Sequence, residues 1–345
     1  MMNQRSTYYY LLIFIGMLVT QASLSAQGEV LDSTLFNKIY TQDNPKITVT
    51  TDFMVILGKG NEEVPGTFEL EGDDKIWDIQ LEARGKHRRR TCLFPPLLLN
   101  FKKSHLREEG YEDYDKIKLV THCSDSEYGL ESVFKEFLAY QVYNQITDQS
   151  FRAKLVQVVY VDNSDHYETI ESWGIILEPN NEMAARVGGE LLDKYNLPAD
   201  SLVGETYVRM AMFQFMIGNH DWSVEMYKNI KCLYVAELGK YMIIPYDFDF
   251  TGMVDPDYHN MNRDINQEHP KDRIYLGKHF DELIPEVVTD LLAKKKEIVA
   301  FCKSFEPVPN PISTNVNRYI NSYFKKIKKD ASKITYSYRI PFDVL

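Results

Sequence analysis

No stretch of this sequence stays apolar for the ~20 residues a membrane-spanning helix needs; the most apolar run, Tyr8 to Val19, is about a dozen long. A transmembrane anchor is therefore not expected. The four cysteines, Cys92, Cys123, Cys232 and Cys302, include no C-x-x-C pair, which argues against a zinc site. Positive charge is in deficit, with 39 Lys and Arg against 50 Asp and Glu and a formal net charge of −11. Nucleic acid is not an expected partner, because a phosphate backbone rewards the opposite sign. No internal repeat or low-complexity linker divides the chain.

What is present points to an exported globular protein. Apolar content of 44% is ordinary for a globular protein and argues against disorder. Arg5 supplies a positive start, Tyr8 to Val19 an apolar centre, and ASLSA (Ala22 to Ala26) the small residues of a cleavage site. Residues 1–26 read as a signal peptide, with no cysteine at the cut to carry a lipid. The expected location is periplasmic, cell-surface or secreted. The remaining 319 residues (345 less 26) suffice for one large domain or two lobes. Export permits disulfides; Cys92 with Cys123 is the most local pairing, and buried free thiols are the other reading.

The first half alternates like strands. Lys46 to Lys59, Gly66 to Glu71, Lys75 to Arg84, Pro95 to Phe101 and Lys116 to Thr121 are rich in β-branched and aromatic residues between Gly, Asn and Asp clusters. Ser126 to Ile146 has helical spacing at Leu130, Val133, Phe134, Phe137, Leu138 and Val142, with Asp125 or Ser126 as cap. Strands Ala153 to Val161 and Thr169 to Leu177 follow. After Glu178 the pattern turns helical, at Glu182 to Tyr195 and Ser201 to Ile217. A hairpin then runs out along Asn229 to Val235 and back along Tyr241 to Tyr246. A polar stretch, Asp255 to Lys278, leads to helices near Phe280 to Phe305 and Thr314 to Ala331. This order predicts an α+β protein with a β-rich N-lobe (27–178) and a mainly helical C-lobe (179–345), with a cleft between them.

Chemistry concentrates between Gly218 and Gly252. Asp221 lies in the loop after an apolar helix, Asn229 opens the hairpin, and Asp247-Phe248-Asp249 closes it. Chain reversal at Glu237 to Lys240 makes Asn229 and Asp247 neighbours. Phosphoryl transfer needs such a set: a carboxylate to orient a hydroxyl and take its proton, and an Asn oxygen and second carboxylate for Mg²⁺. Oxygen donors without a His or Cys cluster favour Mg²⁺ or Mn²⁺ over zinc.

The chain resembles the CotH kinase-like family, distant relatives of protein kinases named for a spore-coat protein. The marks run from about Thr67 to Gly252: ARGKHRRR (Ala83 to Arg90), LLLNFKK, VFKEFLAYQVY (Val133 to Tyr143), WGIILE (Trp173 to Glu178), the N-x-D loop (Asn219 to Asp221) and Y-D-F-D (Tyr246 to Asp249). The resemblance implies a two-lobed protein-kinase-like fold and transfer of phosphate from ATP to a protein hydroxyl in the envelope or outside the cell. It implies Asp221 as catalytic Asp, with Asn229 and Asp247 on the metal and Asp249 in support. Arg84 and Lys86 would meet phosphates, and Glu178 would begin the hinge that receives adenine. The phosphate-binding Lys would be Lys102, since Asn100 stands at its usual place, or Lys118. Its helix partner would be Glu136, or else Glu131. The Asn follows the Asp by eight residues in this chain, where kinases use five.

Other readings stand beside this one. Asp247 to Asp249 taken alone suits a surface turn, and Lys86 to Arg90 suits a solvated strand end. His220 and Trp222 read as structural. The 23 Tyr and 18 Phe read as core and rim packing. GNHD (Gly218 to Asp221) matches a metallophosphoesterase segment, but the D-x-H, G-D-x-x-D and G-H-x-H partners of that chemistry do not occur. The alternative function is a noncatalytic, kinase-shaped envelope or surface binding protein. Nucleotidyl transfer or a small-molecule acceptor is the third reading.

Overall fold

The computed structural model describes residues 33–330, except positions 59, 61, 125, 260, 262–264 and 266. The expected signal peptide, the Asp125 cap and Ala331 lie outside the described residues. In chain order, helix α1 (Leu35–Tyr40) precedes strand β1 (Lys46–Thr51), and α2 (Phe53–Leu57) precedes β2 (Val64–Leu70) and β3 (Ile76–Ala83). Helix α3 (Arg88–Thr91) and β4 (Leu97–Phe101) lead through α4 (Lys103–Glu108) to β5 (Lys116–Val120). The long α5 (Glu127–Ile146) is followed by β6 (Ala153–Asp162) and β7 (Ile170–Leu177). Next come α6 (Asn180–Val187), β8 (Glu190–Leu192), α7 (Gly204–Ile217), β9 (Ile230–Val235) and β10 (Lys240–Pro245). Helices α8 (Ile284–Ser304) and α9 (Asn310–Asp330) complete the described part.

The first seven strands close into a barrel in the order β1-β2-β3-β4-β5-β7-β6. Neighbours pair antiparallel except at the seam, where β1 runs parallel to β6 from Lys46↔Gln157 to Thr51↔Asp162. This closure corrects the two-lobed protein-kinase-like fold implied above. The β-rich half is a closed barrel rather than an open N-lobe sheet, and the helices follow at its C-terminal side. A closed sheet has no exposed edge, so every strand's backbone is paired.

Alternating side chains fill the barrel. Val49, Phe68, Leu81, Leu99 and Ile117 are buried and form one apolar core with Trp77, Phe101 and Tyr160. A second core joins α5, α7, α8 and α9 to the barrel residues Leu155, Ile175 and Leu177. Helix α7 is apolar nearly all round and is buried accordingly. Each buried Met or Phe on it contributes roughly 1.5–3 kcal/mol. The outer sheet, β10-β9-β8, packs β10 against α7.

Two local differences have clear causes. The stretch expected as one strand, Lys46 to Lys59, breaks at Asp52, whose side chain accepts from Val55 N–H (3.1 Å) and caps α2. The helix expected to reach Tyr195 stops at Gly188, which takes φ 80°; the next residues turn into β8. Ser126 caps α5 through Gly129 N–H. Cys92 and Cys123 form a disulfide, whereas Cys232 and Cys302 are buried free thiols. No helix among the described residues is long and apolar enough to cross a membrane.

Candidate active site

Helix α7 ends at Gly218 with φ 65°, a left-handed conformation that an added Cβ would find both strained and crowded by Tyr319. Asn219 follows, buried and bonded to Gln214 (2.9 Å), and its Oδ1 accepts from Asp221 N–H (2.8 Å). Backbone bonds from Gly252 to Gly218 and from Met253 to Ile217 tie this loop to the segment after Asp249. The Asp221 carboxylate therefore sits on a fixed turn beside the end of the hairpin.

The hairpin supplies the rest. Its register pairs Pro245 with Ile230, and Tyr246 N–H donates to Asn229 O (3.1 Å), so Asn229 and Asp247 lie at one end of β9 and β10. Asn229 Nδ2 donates to Asp221 Oδ2 (2.9 Å) and to Asp221 O (2.7 Å). Lys228 pairs with the other Asp221 oxygen. Asn229 and Asp247 both adopt positive φ, at 51° and 65°. Left-handed backbone on non-glycine residues costs about 1–3 kcal/mol and collects at functional sites. Asp247 is held through its N–H, which donates to Tyr140 Oη (2.9 Å), while no described residue bonds its carboxylate.

Beneath them lies a buried charge cluster. Glu136, 2% exposed, meets Arg88 (3.5 Å), and Arg88 also approaches Asp249 (3.9 Å) and donates to Thr121 O (2.8 Å). Asp249 accepts from Tyr258 Oη (3.2 Å) and Phe250 N–H (2.9 Å). Burial pushes the Glu136 carboxyl upward against the pull of Arg88. Burial, then the Asp247 charge, pushes Asp249 the same way. Burial works against the Arg88 charge, but Tyr258, Glu136, Asp249 and Asp247 outweigh it and raise its pKa.

A cavity of about 360 Å³ reaches Tyr246, the residue before Asp247, and is bounded by Arg84, Lys116, Lys118, Lys231 and the start of α6; Asp221, Asn229 and Asp247 themselves do not line it. Lys118 is 8% exposed; its Nζ donates to Asn180 Oδ1 (2.6 Å) and lies over the rings of Phe151 (5.4 Å) and Tyr246 (4.8 Å). Burial, reinforced by the charges of Arg84 and Lys231, holds its pKa well below the usual lysine value. Burial also lowers Lys231.

The structure thus brings together Asp221, Asn229, Asp247, Asp249, Glu136, Arg84 and Lys118. It leaves out others. Lys86 is exposed and does not line the cavity, and Lys102 is exposed at the start of α4. Glu178, fully buried, is clamped by Arg152 and Arg186 (2.8 Å each) instead of facing the cavity. Its N–H donates to Arg152 O (3.0 Å), and Pro179 has none to offer. Glu131 pairs with Lys135 (2.8 Å). His220 is structural: Nε2 accepts from Ile274 N–H (3.2 Å), and burial, then His259, lowers its pKa to about 4.

Arg88, Lys231, Tyr258 and Asn180 escaped the sequence reading. Lys231 had a usable signal, since it lies two residues beyond Asn229 within the expected hairpin arm Asn229 to Val235; in the structure it is on β9, which begins one residue after Asn229.

A resident cation fits in one specific sense. Among the described residues no group of three His, Cys, Asp or Glu side chains forms a complete metal cage. Yet among the described residues the Asp247 carboxylate is unpaired, and Asn229, bonded through its amide nitrogen, keeps Oδ1 without a partner. Mg²⁺ is commonly held by one or two protein oxygens plus substrate phosphates, which matches that donor set. No family model matches this chain, and no curated protein matches it.

Proposed function

We propose that this protein transfers a phosphoryl group from ATP to a hydroxyl of a protein acceptor, on a barrel-based scaffold. One observation carries the reading. Asp221 is bonded to Asn229 beside Asp247, whose carboxylate no described residue bonds, and the adjoining cavity is lined by four basic residues, Arg84, Lys116, Lys118 and Lys231. Arg84, Lys118 and Lys231 would bind the phosphates, and Asp221 would orient the acceptor hydroxyl and accept its proton. Asp247 and the Asn229 oxygen would hold Mg²⁺ or Mn²⁺, which neutralises charge on the transferred group. Arg88 and Glu136 position Asp249 from below. The segment order that resembles the CotH kinase-like family supports the same activity, and the signal-peptide pattern expected over residues 1–26 supports an acceptor outside the cytoplasm.

A noncatalytic, anion-binding role is favoured by one feature: both Asp221 oxygens are engaged, by Lys228 and Asn229. The two readings separate cleanly. Purified protein should gain thermal stability with Mg·ATP and label itself or a generic protein acceptor. Asp221→Asn should abolish labelling and keep the stabilisation, while Asp247→Ala should lose the Mg²⁺-dependent part of it. Binding without any labelling by the wild type would select the noncatalytic role, and absence of nucleotide stabilisation would reject both.

A further inference from the structure

Lys118 differs from the other lysines bounding the cavity. It is nearly fully buried, and among the described residues no carboxylate pairs with it and its sole hydrogen bond is to the neutral oxygen of Asn180. Two aromatic rings pack against it, and Arg84 and Lys231 bound the same space. An ammonium group in such surroundings loses hydration, and repulsion from Arg84 and Lys231 adds to that cost; the charge of Asp247 opposes both but does not outweigh them. These surroundings shift the balance toward the neutral amine, and a neutral amine is a nucleophile.

The rest of the cavity supplies a second element of recognition. Arg84 and Lys231 offer positive charge, and α6 begins at the wall with Asn180 and Asn181, without a side-chain cap on its first-turn N–H groups. Asp115, the one carboxylate on the wall, faces Lys103 at 3.8 Å. A ligand here meets an amine at one point and anion-binding groups around it.

We propose that Lys118 is a nucleophilic amine that captures an aldehyde bearing a phosphate or carboxylate as an imine. The Nζ lone pair forms a C–N bond to the carbonyl carbon, and the carbonyl π pair moves to oxygen, which is protonated. Loss of the second nitrogen proton and of that hydroxyl as water leaves the imine. No oxidant or reductant is consumed. The site shares the cavity with the nucleotide reading and does not depend on it.

The test uses the full chain with pyridoxal 5′-phosphate at neutral pH, borohydride trapping and peptide mapping by mass spectrometry. One adduct per chain on Lys118, formed before any on exposed Lys240, is the expected result. Inorganic pyrophosphate should protect, and pyridoxal lacking the phosphate should react about tenfold more slowly, as loss of a charge-assisted contact implies. Lys118→Arg should remove the adduct; Lys231→Met, which retains the amine, should slow its formation and so guards against a folding artefact. Label spread over exposed lysines with the Lys118 peptide untouched would overturn the proposal. Protection by pyrophosphate but not by Mg·ATP would leave the reactive amine standing and count against phosphoryl transfer from ATP.

Discussion

Arg88 shows how far one side chain's worth depends on its surroundings. It is the cation nearest two buried carboxylates, Glu136 and Asp249, and no described solvent-exposed group substitutes for it. Removing one partner of a buried ion pair costs about 3–5 kcal/mol, because the remaining charge must be neutralised or left unpaired. Arg88→Met should therefore lower the thermal midpoint by roughly 10 °C, read by circular dichroism. Adding Glu136→Gln should return part of the loss; a single variant as stable as the wild type would remove Arg88 from this role. The acidic residues of this site were legible in sequence because hairpin geometry ties Asn229 to Asp247 through the turn alone. The choice of Arg88 over Lys102 or Lys118 as partner of Glu136 was not, because it depends on how α3 lies across the end of β5. Lys86 and Arg88 share one basic run, and only tertiary packing buries one and exposes the other.

At the scale of elements, the short α3 is held by more than its own hydrogen bonds. Four residues cannot form a stable helix alone, since nucleation costs more than one turn returns. The disulfide from Cys92, directly after α3, to Cys123, beyond β5, fastens it to the barrel across 31 residues. Closing a loop of that length in the unfolded chain is worth about 3–4 kcal/mol in the chain-entropy account. Replacing both cysteines with serine should cost about that much in denaturant unfolding. It should also impair any activity that needs the Arg88 cluster; full activity in a destabilised variant would uncouple the bridge from the site. Most strands were readable because their inward residues alternate, as in β1 and β3. The early ends were harder, because Asp52 and Gly188 act through capping geometry that period counting does not see.

The closed barrel belongs to the whole molecule, and nothing local announces it. Its seam joins Lys46 to Gln157, 111 positions apart by subtraction, and parallel pairing needs no turn signal that a sequence could display. Near one end of this seam, a buried cluster ties α1 to β7 and α6. Thr34 and Arg152 both bond Glu182 (2.8 and 2.9 Å), while Arg152 and Arg186 clamp Glu178. The other Glu182 oxygen is buried and has no partner among the described residues. Burial, then the Glu178 charge, raises the Glu182 carboxyl from 4.5 to about 7. The folded state thus holds a proton that the unfolded chain releases between pH 4.5 and about 7. This group's contribution is complete below the unfolded value and is lost as pH rises through the folded one, by roughly 3 kcal/mol in all. Glu182→Gln keeps the shape and removes the titration. Relative to the wild type it should gain stability steadily from about pH 4.5 to 7 and hold that gain above. His220 works oppositely, since its lowered pKa costs stability as pH falls from 6.5 toward about 4. Only the difference between variant and wild type, followed by urea unfolding across that range, isolates Glu182. A difference independent of pH would mean that Glu182 is ionised in the fold and that the Arg152 and Thr34 contacts outweigh its burial.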